Sequence, residues 1–268
     1  MEAILLLKNG LDIQPLQEMI EKYPLNLDFS IIITDDFSNK NLKRLSTLHT
    51  QRNHNTPFLF FEKDSLILAM VTEQDVIKSS LNWQSLQKRI VSAGKNNELI
   101  LKACKLNKEM SVIDGTAGFG QDGLILASTG ASVNLIEQNP ILFLMLIFEQ
   151  QKMSQNPNWQ KLMARITIVF GDSNEIIKQM LKHDLIYFDP MFPNDSYKGA
   201  VNKNMQVLHQ FINPPSFNDE IVLFETAMAN CDKLIIKRPL SAPNFAGKLP
   251  IQSVNNEVIR FDVYMENN

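Results

Sequence analysis

From residue 111 onward, short apolar runs alternate with helical segments in a steady rhythm. Ser111–Asp114 reads as a strand followed by a helix over Gly120–Ser128. Ser132–Glu137 precedes a helix over Pro140–Lys152, and Ile166–Phe170 precedes one over Ser173–Leu181. Leu185–Phe188 runs into a Pro-rich loop, with helices expected near Val201–Phe211 and Asp219–Asn230 before a strand over Lys233–Lys237. Strands and helices at this spacing predict right-handed βαβ units and a mostly parallel sheet. The tail breaks the rhythm. Pro250–Val254 and Val258–Tyr264 flank Asn255-Asn256, which predicts a C-terminal antiparallel hairpin. The fold class is therefore α/β and Rossmann-like.

The chain before this stretch is patterned differently. Ala3–Leu7 and Phe29–Thr34 read as strands, Leu11–Tyr23 and Asn41–His49 as helices. Pro57–Phe61 and Leu66–Val71 flank the turn Glu62-Lys63-Asp64-Ser65, as in a hairpin. Residues 1–75 thus form a small α+β portion. Residues 76–110 read as a basic helical connector, with Lys78, Lys88, Arg89, Lys95, Lys102, Lys105 and Lys108. Such a segment is either a solvated face or a phosphate-facing surface. Residues 111–268 make up the larger α/β domain.

Composition narrows the field. Hydrophobic residues are 44% and charged residues 21%, which excludes wholesale disorder and a coiled-coil rod. A formal net charge of −3 means that a nucleic acid would be held by a local basic patch. Cys104 and Cys231 belong to no CxxC pair, so no structural zinc site or disulfide framework is expected. The four His residues are scattered, and no metal-ligand cluster is visible. The start has an early acid, Glu2, and no basic segment leading a long apolar one. The most apolar run, Ile141–Phe148, is far short of the about 20 residues of a membrane span. A cytoplasmic location is expected.

Ligands on open α/β sheets bind outside the carboxyl ends of the strands, where the strand order switches. Here an acid stands at or just after four strand ends: Asp114, Glu137, Asp172 and Asp189. Gly115, Gly118, Gly120 and Gly123 follow the first of them, where a backbone without Cβ atoms can approach a ligand closely. Gly118, Gly120 and Gly123 satisfy G-x-G-x-x-G, the pattern of a nicotinamide dehydrogenase. Asp114 argues against that reading, because a carboxylate beside a pyrophosphate is repelled. An acidic rim suits a cation instead. S-adenosylmethionine carries a sulfonium and an ammonium that Asp114 favours; Glu137 is placed for two ribose hydroxyls. Asp172 and Ser173 are placed for the adenine, although Asp172 also suits a helix N-cap.

After the fourth strand comes Asp189-Pro190-Met191-Phe192-Pro193. This is similar to the (Asp/Asn/Ser)-Pro-Pro-(Tyr/Phe) loop of amino-methyltransferases, with Met191 in the second proline slot. The lone pair of an exocyclic base amine is delocalised into the ring, so the amine is a poor nucleophile. The Asp189 side chain and the Pro190 carbonyl together accept its two hydrogens and favour a pyramidal nitrogen. Proline fixes φ and orients that carbonyl. Phe192 is placed to stack on a base drawn out of its helix. Lys198, Lys203, Lys237 and Arg238 follow on the same rim as candidate phosphate contacts.

The run Asp114 to Asp122, then Glu137-Gln138-Asn139-Pro140, then Asp189 to Pro193, then Lys237-Arg238-Pro239, resembles the ribosomal small-subunit RNA methyltransferase J family. The resemblance covers roughly residues 85 to 264. It implies a class I S-adenosylmethionine-dependent fold and methylation of the 2-amino group of a guanosine in small-subunit (16S) ribosomal RNA, releasing S-adenosylhomocysteine. It also implies cofactor contacts at Gln121-Asp122, Glu137-Gln138, Asp172-Ser173 and Asp189. The family usually has Arg where this chain has Gln121 and Gln138, and Ser where it has Asp172. Taken alone, the Asp-Pro-x-Phe core leaves an adenine or protein amide amine open as the target. The basic 78–108 stretch leaves open a non-enzymatic RNA-binding protein.

Overall fold

The computed structural model describes residues 1–10, 14–49, 56–73, 75–92, 98–192, 207 and 212–265. The chain divides into two compact units, Met1–Asn82 with Ala200–Ile212 and Trp83–Gly199 with Asn213–Asn268.

In the first unit, β1 (Glu2–Leu7), β2 (Asp28–Ile33), β3 (Phe58–Glu62), β4 (Ser65–Val71) and β5 (Val76–Ser80) form a sheet in the order β2-β1-β3-β4-β5. Helices α1 (Gln14–Glu21) and α2 (Asn39–His49) connect the first three strands. The parallel pairs β1–β2 and β1–β3 give way to antiparallel β3–β4 and β4–β5. Leu42 and Leu45 of α2 pack on alternate strand residues Ile4, Leu6, Phe58, Phe60, Ile67 and Ala69.

Residues 76–80 are a strand where a helix was expected. Their basic character suggested a solvated helix, but Val76 and Ser79 are buried and the segment pairs with the edge of β4. The Thr72 N–H donates to the Asp75 carbonyl (2.8 Å) and closes the turn between them. Lys78 spends its charge locally: its ammonium donates to the Phe37 carbonyl (2.7 Å) and lies over the Phe60 ring.

The second unit opens with a 3₁₀ turn at Trp83–Leu86 and the short helices α3 (Gln87–Ser92) and α4 (Leu99–Cys104). The expected alternation follows: β6 (Ser111–Asp114), α5 (Gln121–Ala127), β7 (Ser132–Glu137), α6 (Pro140–Ser154), α7 (Gln160–Met163), β8 (Ile166–Phe170), α8 (Ser173–Gln179) and β9 (His183–Phe188). After the expected helix near Val201–Phe211, which lies outside the described residues apart from Val207, come α9 (Phe217–Ala229), β10 (Cys231–Pro239), β11 (Gln252–Asn255) and β12 (Ile259–Met265). The sheet order is β11-β12-β10-β9-β6-β7-β8. β12 pairs antiparallel with β10 and β11, while β8, β7, β6, β9 and β10 are parallel.

β6 therefore lies between strands reached by crossovers of opposite direction. A crevice opens beyond its carboxyl end at such a switch point. The core beneath is formed by Ile113, Ile136, Ile186, Phe188, Leu234 and Ile236 against Phe224 and Ala227 of α9. Helix α6 is apolar all round and buried from Pro140 through Ile147, and it turns polar in its last turns, where Gln151 and Ser154 are exposed. Asn139 caps it, accepting from the N–H groups of Ile141 (3.0 Å) and Leu142 (3.2 Å) ahead of Pro140.

Candidate active site

Because β6, β7, β8 and β9 are parallel, the four strand-end acids emerge on one rim. Asp114 ends β6 and is 2% exposed; its Oδ1 accepts the Thr116 N–H (3.1 Å). Glu137 ends β7 and is 4% exposed. One of its oxygens accepts the Gly118 N–H (2.8 Å) and the other the Asn139 N–H (2.7 Å). Neither carboxyl has a cation partner among the described residues. Burial consequently pushes the Asp114 carboxyl up to about 8 and the Glu137 carboxyl up to about 7.

The glycine loop is moulded to this rim. A Cβ at Gly115 would overlap the Phe188 ring, so the backbone runs directly against β9. Gly118 and Gly120 take left-handed φ values of 53° and 72°, which turn the chain into α5. Trp83 buttresses the loop: its indole N–H donates to the Phe119 carbonyl (2.9 Å), and its backbone N–H donates to buried Glu149 (3.0 Å). Sequence reasoning missed Trp83. A buried indole needs an acceptor for its N–H, and that requirement was the signal available.

At the third strand end the helix-capping alternative is realised. Asp172 Oδ1 accepts from the N–H groups of Asn174 (2.9 Å) and Glu175 (3.2 Å) and caps α8. The Ser173 hydroxyl donates to the Gly115 carbonyl, so this pair braces the glycine loop as well. The side chains of Gln121 and Gln138 stand exposed at the start of α5 and after β7.

The fourth strand end carries a charged network. The Asp189 N–H donates to the Thr116 hydroxyl (2.6 Å), tying the Asp-Pro-Met-Phe turn to the glycine loop. The Lys237 ammonium donates to Asp189 Oδ2 (2.7 Å) and Asp122 Oδ2 (3.0 Å). The Tyr187 hydroxyl also donates to Asp122 Oδ2 (2.7 Å), and Arg89 stands 3.8 Å from Asp122 Oδ1. Burial works to raise the Asp122 carboxyl, yet Lys237 and Tyr187 outweigh it and the net direction is down. Asp189 moves the other way, because its burial outweighs Lys237, the one cation it meets among the described residues. Tyr187, fully buried in β9, was another residue that sequence reasoning did not single out.

Three expectations change here. Lys237 does not face phosphate; it is enclosed between two carboxylates. Arg238 points to the other side of β10 and is 6% exposed, bonded to Glu220 Oε1 (3.0 Å) and to the Pro243 carbonyl. Alternation along the strand separates the two neighbours. Phe192 is 7% exposed, and the Arg238 guanidinium lies 5.1 Å from its ring centre. A ring so enclosed is not a free platform for a base. Pro190 is buried beside Asp189. Pro193, Lys95, Lys198 and Lys203 lie outside the described residues.

The rim fits S-adenosylmethionine. Asp114 and Glu137 are buried acids with no cation partner among the described residues, next to the glycine loop that leads into α5. A ligand with a positive charge and hydroxyl donors supplies what they lack. Asp114 would face the charged methionyl end and Glu137 the ribose; the ligand contributes the electrophilic methyl.

The comparisons agree. Residues 41–266 match the model of a family described as SAM-dependent methyltransferases. Two curated relatives, both ribosomal RNA small subunit methyltransferases J, come from Psychrobacter cryohalolentis and Neisseria gonorrhoeae. The first is 40% identical, covering 94% of this chain and 90% of the relative. The second is 33% identical, covering 78% of this chain and 84% of the relative. The crystal structure of a SAM-dependent methyltransferase from Neisseria gonorrhoeae superposes with a TM-score of 0.68 at 26% identity, over 98% of this chain and 96% of that one. A class I fold, acids at or just after four parallel strand ends and kinship over nearly the whole chain lead to one conclusion: the chain belongs to the ribosomal RNA small subunit methyltransferase J family of S-adenosylmethionine-dependent methyltransferases.

Proposed function

We propose that this enzyme methylates the 2-amino group of a guanosine in small-subunit ribosomal RNA, in the cytoplasm. The observation that carries the reading is the Asp189 turn. One carboxylate oxygen is held by Lys237, and Oδ1 has no partner among the described residues. Pro190 follows it in the chain, and its carbonyl is the second acceptor of this reading. Two acceptors at the end of β9, next to the cofactor rim, suit an amine with two hydrogens. When bound, the methyl donor would supply an electrophilic methyl and keep the electron pair of the broken S–C bond on sulfur, while Asp189 and Pro190 hold the amine that takes the methyl. The nitrogen then loses one proton, through Asp189 or water. Most of the rate enhancement is positioning in line.

Phosphates of the RNA are held in this reading by exposed Lys88 on α3, next to Arg89. Such contacts position the RNA without reading its sequence.

Incubation with unmethylated small-subunit ribosomal RNA and isotopically labelled methyl donor, followed by nuclease digestion and mass spectrometry, tests the target. N2-methylguanosine is expected. Label on adenine, or on protein alone, would replace the guanine assignment.

A further inference from the structure

Lys237 links two elements that meet the reaction from opposite sides. Asp122 lies in the first turn of α5, which opens from the glycine loop; Asp189 follows β9 and begins the amine-gripping turn. One ammonium bonds an oxygen of each, at 3.0 and 2.7 Å. Its side chain is 23% exposed, and two of its three N–H bonds are spent on carboxylates. A phosphate would have to displace both.

We propose that Lys237 is a positioning residue for methyl transfer: it holds Asp189 with one oxygen engaged and the other turned to the acceptor amine, in register with Asp122 on the cofactor side. This rests on the role given to Asp189 above.

The electrostatic argument follows from the neighbours. Asp189 faces Lys237 from β10, Asp122 from α5, Tyr187 from β9 and Asp114 from β6, with Arg89 of α3 beyond Asp122. Among the described residues Lys237 is thus the cation that touches Asp189, in the company of several acids. Without it, repulsion and burial drive a proton onto Asp189. A protonated carboxyl presents an O–H donor where the amine needs an acceptor. Two carboxylates also pull the Lys237 ammonium well above the usual lysine range, so it stays charged throughout the working pH.

The test is a double-mutant cycle of Lys237→Met and Asp189→Asn, with wild-type RNA and cofactor. Asparagine keeps an acceptor oxygen and needs no counter-ion. Lys237→Met should lower turnover about 100-fold near neutral pH, with KM for RNA and the salt dependence of RNA binding unchanged. The acid limb of its pH profile should move to higher pH, and turnover should recover on the alkaline side. In the Asp189→Asn background the same change should cost only a few-fold. A carboxyl-carbon NMR titration of Asp189 in the isolated protein should move upward in Lys237→Met.

A raised KM for RNA with a shallower salt slope and an unmoved acid limb would show Lys237 to be a phosphate contact instead. Full additivity in the cycle also overturns the proposal. Should Lys237→Met not fold alone, the double variant is compared with Asp189→Asn: a loss of only a few-fold supports the proposal, and a loss of about 100-fold overturns it. An unmoved Asp189 titration sinks the proposal whatever base is methylated. A guanine left unmethylated with the titration moved sinks only the target assignment.

Discussion

Buried charge is handled in two ways at neighbouring ends of one sheet. Around β10 and β12 every buried charge is met. The Arg260 guanidinium bonds both oxygens of fully buried Asp262 and the carbonyls of Pro239, Leu240 and Ala242. Asp262 also accepts the Ser253 hydroxyl (2.6 Å), and Glu220 is shared by Arg238 and the Ala246 N–H. At the carboxyl ends of β6 and β7, Asp114 and Glu137 are as deeply buried yet face no cation among the described residues. The saturated end stabilises a loop. At the unsaturated end, burial without a cation partner favours the neutral form of both acids.

The sharpest way to break that contrast is at Asp189, which lies between the two regimes. Asp189→Ala should reduce methyl transfer about 1,000-fold or more, while Asp122 retains Lys237 and the cooperative melt survives. Wild-type turnover would remove Asp189 from the reaction. Next comes the saturated end. Arg260→Met leaves Asp262 buried and unpaired, and should cost about 3–5 kcal/mol in denaturant unfolding. A loss below 1 kcal/mol would mean that the cluster is not structural.

The unsaturated end should respond to pH. Folding raises the Asp114 and Glu137 carboxyls to about 8 and about 7. The native chain then keeps protons that the unfolded chain has lost. Ligand-free stability should therefore fall as pH rises from about 4 to about 8 through these two groups. Asp114→Asn should remove part of that slope, and equal slopes in both proteins would show Asp114 to be ordinary. Cofactor binding has the opposite sign. It favours the ionised acids, so affinity should rise between pH 6 and 8 with proton release, measurable by calorimetry in buffers of different ionisation enthalpy. Flat affinity would argue against a cation at Asp114.

The smallest effect belongs to Asp172. As the cap of α8, its replacement by Ala should cost about 1 kcal/mol of stability and weaken the cofactor only slightly. A large loss of affinity would return it to the binding surface.

Much of this was legible in the residues. The period of the apolar runs from 111 to 237 announced parallel strands, since alternating elements of that length pack in few ways. Acids placed after strands had to share a rim once those strands were parallel. The glycine loop and Asp189-Pro190 stood out because close backbone approach and a fixed carbonyl need those residue types. What the pattern could not supply was direction and company. Lys237 and Arg238 look alike in a sequence, but strand pleating sends them to opposite sides, one to Asp122 and Asp189, the other to Glu220. Phe192 looked free until Arg238 covered it, and Val76–Ser80 looked helical until the edge of β4 claimed it. Local preference is written along the chain, whereas the partner of a charge, a ring or a strand edge is chosen across distances that only packing brings together.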